Sequence, residues 1–315
     1  MIPYERFLLE TVRTDKRVVI LTAENRGHMR NIPPLLGSRF VDVGIAEQTM
    51  IGVAAGLASR GRVVFTHALA AFLTLRAFEF IRDDVGISSL PVIMVGMVPG
   101  VLSDANGPTH QAIEDVAIMR GIPNVHVFCP ADEDDMIIGL PHIVRSGKPT
   151  YVRYTNLPSA VGHSNTFALG VAEIVSDIDP EVATVTILTY GTLVRQAVHA
   201  AALLASEGVS VCVVNMRMLS PVDEAMILRA TRNSRLVVTL EDHFRAGGLA
   251  TIVAETLMNH AEVADVLPIA LNTWFTPGLL ADVLDNEKLR GDHVAETIQG
   301  RLQTLPLHHA EAVHA

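Results

Sequence analysis

Short, almost wholly apolar runs rich in valine and isoleucine alternate with longer stretches of helical periodicity, and this pattern runs through the whole chain. Arg17–Ala23, Arg62–Thr66, Pro91–Val98 and Asn124–Phe128 are mostly apolar, as expected of strands covered on both faces of a parallel sheet. Between them, Ala46–Arg60 reads as a helix with Ile51, Ala54, Ala55 and Ala58 on one stripe. Phe72–Arg82 reads as another, with Leu75, Phe78 and Ile81 apolar at helical spacing. A second set begins near Phe167, with strands at Val185–Thr189, Val209–Asn215 and Arg235–Leu240 and helices at Leu193–Glu207 and Pro221–Thr231. The polar, turn-rich Asn156–Thr166 lies between the two sets and is the expected linker. A length of 315 residues fits two domains of ~150 residues each, so the expectation is two α/β domains in tandem.

Charge and composition narrow the function. The formal net charge is −10 and no Lys/Arg-rich run occurs, which argues against a nucleic-acid partner or an anionic membrane surface. The long uncharged runs Val63–Leu75 and Val85–Ser103 are broken by His67 or by proline, serine and glycine, so neither is expected to span a membrane. Cys129 and Cys212 are too few for a disulfide framework, and both read as small buried apolar residues. The charged N-terminus does not resemble a secretory leader, and a soluble cytoplasmic protein is expected.

Three strand–helix joints carry polar residues that packing does not require: Asp42–Gln48, Thr66–Phe72 and Asp104–Gln111. Such joints lie at the carboxyl ends of strands, where ligands of open α/β sheets bind. In the first, Gly44 lets the chain turn and Glu47 enters the first turn of a helix that then becomes apolar. An acidic residue there complements the helix dipole without any ligand, and that reading stands beside a catalytic one. In the third, Gly107-Pro108 turns the chain and presents Thr109, His110 and Gln111. A histidine at such a place is either a structural cap or a proton-transfer group.

Together these segments resemble the transketolase family, and in particular the separate small subunit of split, two-chain transketolases. GIAEQ, FLTLRAFE, GPTHQAIED and PADEDD occur in the family's order, followed by ILTYGTLVRQAVHAAALLASEG, VVNMRMLSPVD and VTLEDHFRAGGL. The resemblance runs over Pro3–Leu302. It implies a thiamine-diphosphate-binding pyrimidine domain (1–157), a linker (158–165), a transketolase C-terminal α/β domain (166–306) and a tail (307–315). The first domain is expected to be a parallel sheet with flanking helices, and the second an α/β domain. The tail holds His308, His309 and His314, which have no ligand spacing.

The resemblance also assigns roles. Glu47 matches the glutamate that bonds the pyrimidine N1′ and helps to activate the cofactor. Phe72 matches the aromatic residue packed on the pyrimidine ring, with an ordinary core phenylalanine as the alternative. Ile45 and Leu69 fall at cofactor-binding positions, Leu69 where a second stacking phenylalanine is common. His110 matches the histidine that handles substrate hydroxyl protons, and Gln111 either contacts substrate or fixes the loop. Asn106 stands in place of a donor-binding aspartate, Val98 in place of a second donor-binding histidine, and Asn156 in place of a phosphate-binding arginine. His67 is a candidate to replace a lost polar contact. Arg153 is either a substrate-binding residue or a structural one facing a carboxylate. The cofactor set is thus kept while the sugar-phosphate set is largely replaced, which implies a non-standard ketose or 2-oxo acid substrate.

The family holds the diphosphate and Mg²⁺ on a Gly-Asp-Gly motif, and none occurs in this sequence. No metal ligand is therefore assigned here. The implied partner is a large subunit carrying that motif, in a heterotetramer whose small subunits self-associate. Two alternatives stay open: a decarboxylating acyloin synthase resembling deoxyxylulose-phosphate synthase, and the beta subunit of a 2-oxo acid dehydrogenase. Gly247–Leu249 (GGL) starts a helix and resembles a phosphate cradle only superficially.

Overall fold

The computed structural model describes residues 1–305; the expected histidine-bearing tail lies outside the described residues. The first half contributes strands β1 (Val18–Thr22), β2 (Phe40–Asp42), β3 (Val63–Leu69), β4 (Val92–Met97), β5 (His126–Phe128) and β6 (Thr150–Arg153). Its helices are α1 (Pro3–Thr14), α2 (Pro33–Leu36), α3 (Glu47–Ala58), α4 (Phe78–Phe80), α5 (Asp115–Arg120) and α6 (Glu133–Ser146). These six strands are mutually parallel in the order β5-β6-β4-β3-β1-β2. Burial is complete in the inner strands β1, β4 and β6, as helices on both faces demand, while the edge strand β2 is partly exposed. The second half contributes β7 (Glu173–Ile174), β8 (Val185–Thr189), β9 (Val211–Asn215), β10 (Met218–Ser220), β11 (Leu236–Phe244) and β12 (Val266–Leu271). Its helices are α7 (Val194–Ser206), α8 (Glu224–Asn233), α9 (Leu249–Asn259), α10 (Leu280–Asn286) and α11 (Gly291–Thr304).

The two sheets are mixed at their edges. The second has the order β12-β11-β8-β9-β7, parallel except for β7, which runs antiparallel to β9. Pro268 in β12 is tolerated because β12 is an edge strand. The short strand β10 of that half crosses over and pairs antiparallel with β5, completing the first sheet. The halves are therefore sewn together through a shared sheet, which the tandem pattern in the sequence does not disclose.

Two buried charge clusters reinforce the seam. Arg153, buried at the end of β6, pairs with Asp115 at 3.0 Å and with Asp242 of β11 at 2.6 Å, and Tyr151 donates to Asp115 at 2.6 Å. Gly100 makes this approach possible, because a Cβ there would run into the Asp242 carboxylate. In the second cluster, His163 of the linker contacts Asp132 at 2.9 Å and Glu173 at 2.8 Å. Arg217 pairs there with Asp135, at 3.3 Å, and with Glu173. Asp135, His163 and Glu173 converge as metal ligands could, but Arg217 and His163 already supply the positive charge among them.

One segment departs from its expected form. Phe72–Arg82 is not one α-helix: Phe72–Arg76 and Ile81–Gly86 are wound as wide π turns around the short α4. The buried positions Leu73, Ala77, Ile81 and Val85 recur every four residues. On an ordinary helix such steps drift by about 40° each, and wider turns keep them on one face.

Candidate active site

Strands β1 and β2 end level with one another, Thr22 pairing with Asp42, and β3 runs two residues further, from His67 beside Thr22 to Leu69. Gly44, at φ 75°, turns the chain out of β2, and Asp42 steadies the turn by accepting from the Gly44 N–H at 2.9 Å and the Glu24 N–H at 3.1 Å. Ala46 is extended in φ (−152°), and Glu47 then opens α3 with its carboxylate 2% exposed. The strand ends enclose a pocket of about 410 Å³, bounded by Ile45, Glu47, Leu69 and Phe72 on one side and Ala23–Gly27 on the other. Four of the residues selected from sequence thus meet on one cavity.

Glu47 has a partner that sequence reasoning missed. Arg76 Nη1 donates to Glu47 Oε2 at 2.7 Å, and the same guanidinium lies 4.3 Å from the centroid of the Phe72 ring. The available signal was the four-residue spacing of Phe72 and Arg76, which puts both on one side of a helical turn. His110 meets Phe72 edge to face with ring centroids 5.0 Å apart, and its Nδ1 lies 3.0 Å from the Thr109 hydroxyl. His110 is half-buried, leaving the rest of its ring free to meet a ligand.

Gln111 does not share this setting. It is buried, its Nε2 donates to the Phe275 carbonyl at 2.8 Å, and it ties the His110 loop to the second half of the chain. Asn106 lies exposed in the same loop. Val98, at the carboxyl end of β4, is held at φ 49°. A β-branched residue in that region stores strain of order 1–3 kcal/mol, a pattern found at ligand sites.

The structure does not bring His67 or Arg153 to the pocket. His67 is fully buried within β3: Tyr4 Oη lies 2.7 Å from its Nε2, and its Nδ1 lies 3.1 Å from the Leu21 carbonyl. Desolvation holds it neutral, with its pKa pushed down to about 4. It is closed off by Tyr4 of α1 and the Leu21 carbonyl and lines no part of the pocket. Arg153 is the structural arginine of the seam and has no substrate-facing freedom. The GGL turn holds no phosphate cradle either: Glu241 accepts from the Leu249 and Ala250 N–H groups at 2.6 and 3.0 Å, filling the amino end of α9.

A buried carboxylate, an aromatic face and two aliphatic side chains around one cavity suit a flat heteroaromatic ring with a hydrogen-bonding edge. Comparison with known proteins agrees with this chemistry. Residues 4–157 match the transketolase pyrimidine-binding domain and residues 175–294 the transketolase C-terminal domain. The chain is 36% identical to a 6-deoxy-6-sulfo-D-fructose transketolase subunit of Clostridium sp. (strain MSTE9), covering 82% of this chain and 81% of that one. It is 33% identical to one of the apulose-4-phosphate transketolase subunits of Phocaeicola vulgatus, covering 79% and 80%. The solved structure of a split-gene transketolase, described as an inactive beta4 tetramer, superposes with a TM-score of 0.85 at 30% identity, covering 96% and 97%. The chain belongs to the transketolase family, as a separate subunit of a split transketolase.

Proposed function

We propose that this subunit supplies the aminopyrimidine half of a cofactor site completed by a large subunit. In this reading Glu47 bonds the N1′ edge of the aminopyrimidine, Phe72 packs on its ring, and Ile45 and Leu69 close the apolar sides. The single observation that carries it is the Glu47 carboxylate, 2% exposed yet bounding the pocket beside Phe72. Thiamine diphosphate, when bound, supplies the acyl-anion chemistry by which a two-carbon ketol unit leaves one sugar and joins an aldehyde. Glu47 holds the ring edge and its proton balance, and His110 exchanges a proton with a substrate hydroxyl. The apolar walls exclude water from the ring.

The diphosphate and Mg²⁺ belong, in this proposal, to a large subunit carrying a Gly-Asp-Gly motif, which is absent from these 315 residues. Two large and two small subunits assemble, since a site built across chains closes most simply with two-fold symmetry. The substrate is a ketose outside the common phosphorylated set. This rests on Val98 at the end of β4, on Asn106 in the His110 loop and on the exposed Asn156, all at positions where the family resemblance puts charged or imidazole groups. The relatives named for 6-deoxy-6-sulfo-D-fructose and for apulose 4-phosphate also point to an uncommon sugar. Similarity to separate transketolase subunits spans about four fifths or more of both chains, whereas this chain matches only about half of the deoxyxylulose-phosphate synthases, which favours ketol transfer over a decarboxylating synthase. Among the described residues no helix is long and apolar enough to cross a membrane, which accords with action in the cytoplasm.

Calorimetry and light scattering test the assembly. The chain alone is expected to bind thiamine diphosphate weakly and to turn over no ketose. The co-expressed pair should scatter at about twice the heterodimer mass and transfer ketol units from 6-deoxy-6-sulfo-D-fructose or apulose 4-phosphate. Micromolar, Mg²⁺-dependent binding by the chain alone would contradict the divided site.

A further inference from the structure

The Glu47–Arg76 pair has a chemistry of its own. Glu47 is 2% exposed, and the side chain of Arg76 is 40% exposed and reaches in from solvent. Its guanidinium is planar and rich in N–H groups. It donates to Glu47 Oε2 at 2.7 Å while lying 4.3 Å from the centroid of the Phe72 ring. Those are the two contacts, one hydrogen-bonded edge and one stacked face, assigned above to the aminopyrimidine. An aminopyrimidine that takes the same Glu47 oxygen and the same face of Phe72 has to displace the guanidinium.

Burial explains why such an occupant is useful. A carboxylate sealed from water is costly unless a partner compensates it. Until the cofactor arrives, Arg76 is the cation beside Glu47. Its guanidinium sits on a long side chain with a solvent-facing alternative, so it can withdraw without moving the backbone. The remaining polar neighbours of the pocket do not duplicate it: Arg26 is engaged by Asp42, and His110 meets Phe72 only at its edge.

We propose that Arg76 is a resident placeholder for the aminopyrimidine, which satisfies Glu47 and covers Phe72 in the unassembled subunit and is expelled when the cofactor docks. This rests on the assignment of Glu47 and Phe72 to the aminopyrimidine. It couples cofactor entry to the release of an internal ion pair: the same contact that steadies the free subunit taxes binding. A seat that stands open about one time in ten has an apparent affinity about tenfold below that of an open seat.

The test is thiamine diphosphate binding to the reconstituted large–small pair, by calorimetry with Mg²⁺, together with the melting temperature of the small subunit alone. Arg76→Met should tighten cofactor binding by ~3–10-fold while lowering the melting temperature of the free subunit. Arg76→Lys keeps a cation for Glu47 but cannot lie flat on the ring, so it should fold normally and tighten binding by ~2–3-fold. Unchanged or weaker binding in both variants would overturn the placeholder, because a guanidinium that helped to hold an anionic cofactor gives weaker binding when removed. Glu47→Gln and Phe72→Ala separate the layers of the argument. If these two bind cofactor as well as the wild type, the seat itself is misassigned. If they weaken binding while Arg76→Lys and Arg76→Met do not tighten it, only the placeholder fails.

Discussion

Glu47, His67 and Arg153 show how a polar side chain acquires its work from its surroundings. All three stand in strand–helix joints or strand ends of the first sheet, and all are buried. Glu47 bounds a cavity; His67 is closed off by Tyr4 and the Leu21 carbonyl; Arg153 is clamped by two carboxylates from different halves of the chain. The sequence makes all three conspicuous but cannot tell which face of a strand turns to the pocket. For Glu47 the signal was sufficient, because a glycine turn fixes where the first helical residue points. For His67 enclosure by Tyr4 and the Leu21 carbonyl decided the matter, and for Arg153 the decisive partner, Asp242, lies 89 residues further on. Arg153→Met should therefore read out as stability: about 3–5 kcal/mol lost in chemical denaturation, because two buried carboxylates lose their cation. A raised KM with unchanged stability would return Arg153 to the substrate site.

At the scale of elements, β1, β3, β4, β5, β8, β9 and β11 were legible to within a few residues, because burial leaves apolar signatures, whereas the edge strands β2, β7 and β12 and the four-residue β6 were not singled out. Val185–Thr189 is found as expected, and α7 covers Val194–Ser206 where Leu193–Glu207 was anticipated. Strand β10 was hidden because VVNMRMLS reads as a continuous run, whereas Arg217 turns into a charge cluster and breaks it in two. The linker was legible as a polar segment but not as a strap. His163 is pinned by Asp132, the cap of α6, and by Glu173 of β7, and these carboxylates raise its pKa from 6.5 to about 10 despite the opposing cost of burial. Glu173, in turn, is held down at about 2, burial being outweighed by His163 and Arg217. A histidine whose folded pKa is raised contributes its full stability below about 6.5 and loses it as pH climbs through about 10. His163→Leu should thus be destabilised by ~3–5 kcal/mol near pH 6, and the gap to wild type should narrow steadily from pH 7 to pH 10. A gap that is independent of pH would show that His163 acts through packing alone.

In the whole molecule, the two α/β halves are joined by the shared strand β10 and by two buried charge clusters. Gln111 adds a direct tie by donating to the Phe275 carbonyl at 2.8 Å. Such bracing suits a subunit that offers a preformed half-site to a partner. In the function proposed above, Glu47 activates the cofactor rather than merely complementing the dipole of α3. Glu47→Gln keeps the shape and most of the packing but loses the carboxylate. The decisive measurement is exchange of the thiazolium C2 proton in the reconstituted pair, with cofactor saturating. The account predicts a fall of ~10²–10⁴-fold in exchange and turnover with little change in folding. A helix-dipole role predicts ~0.3–1 kcal/mol of lost stability and near-normal exchange, and that result in Glu47→Gln would contradict the account.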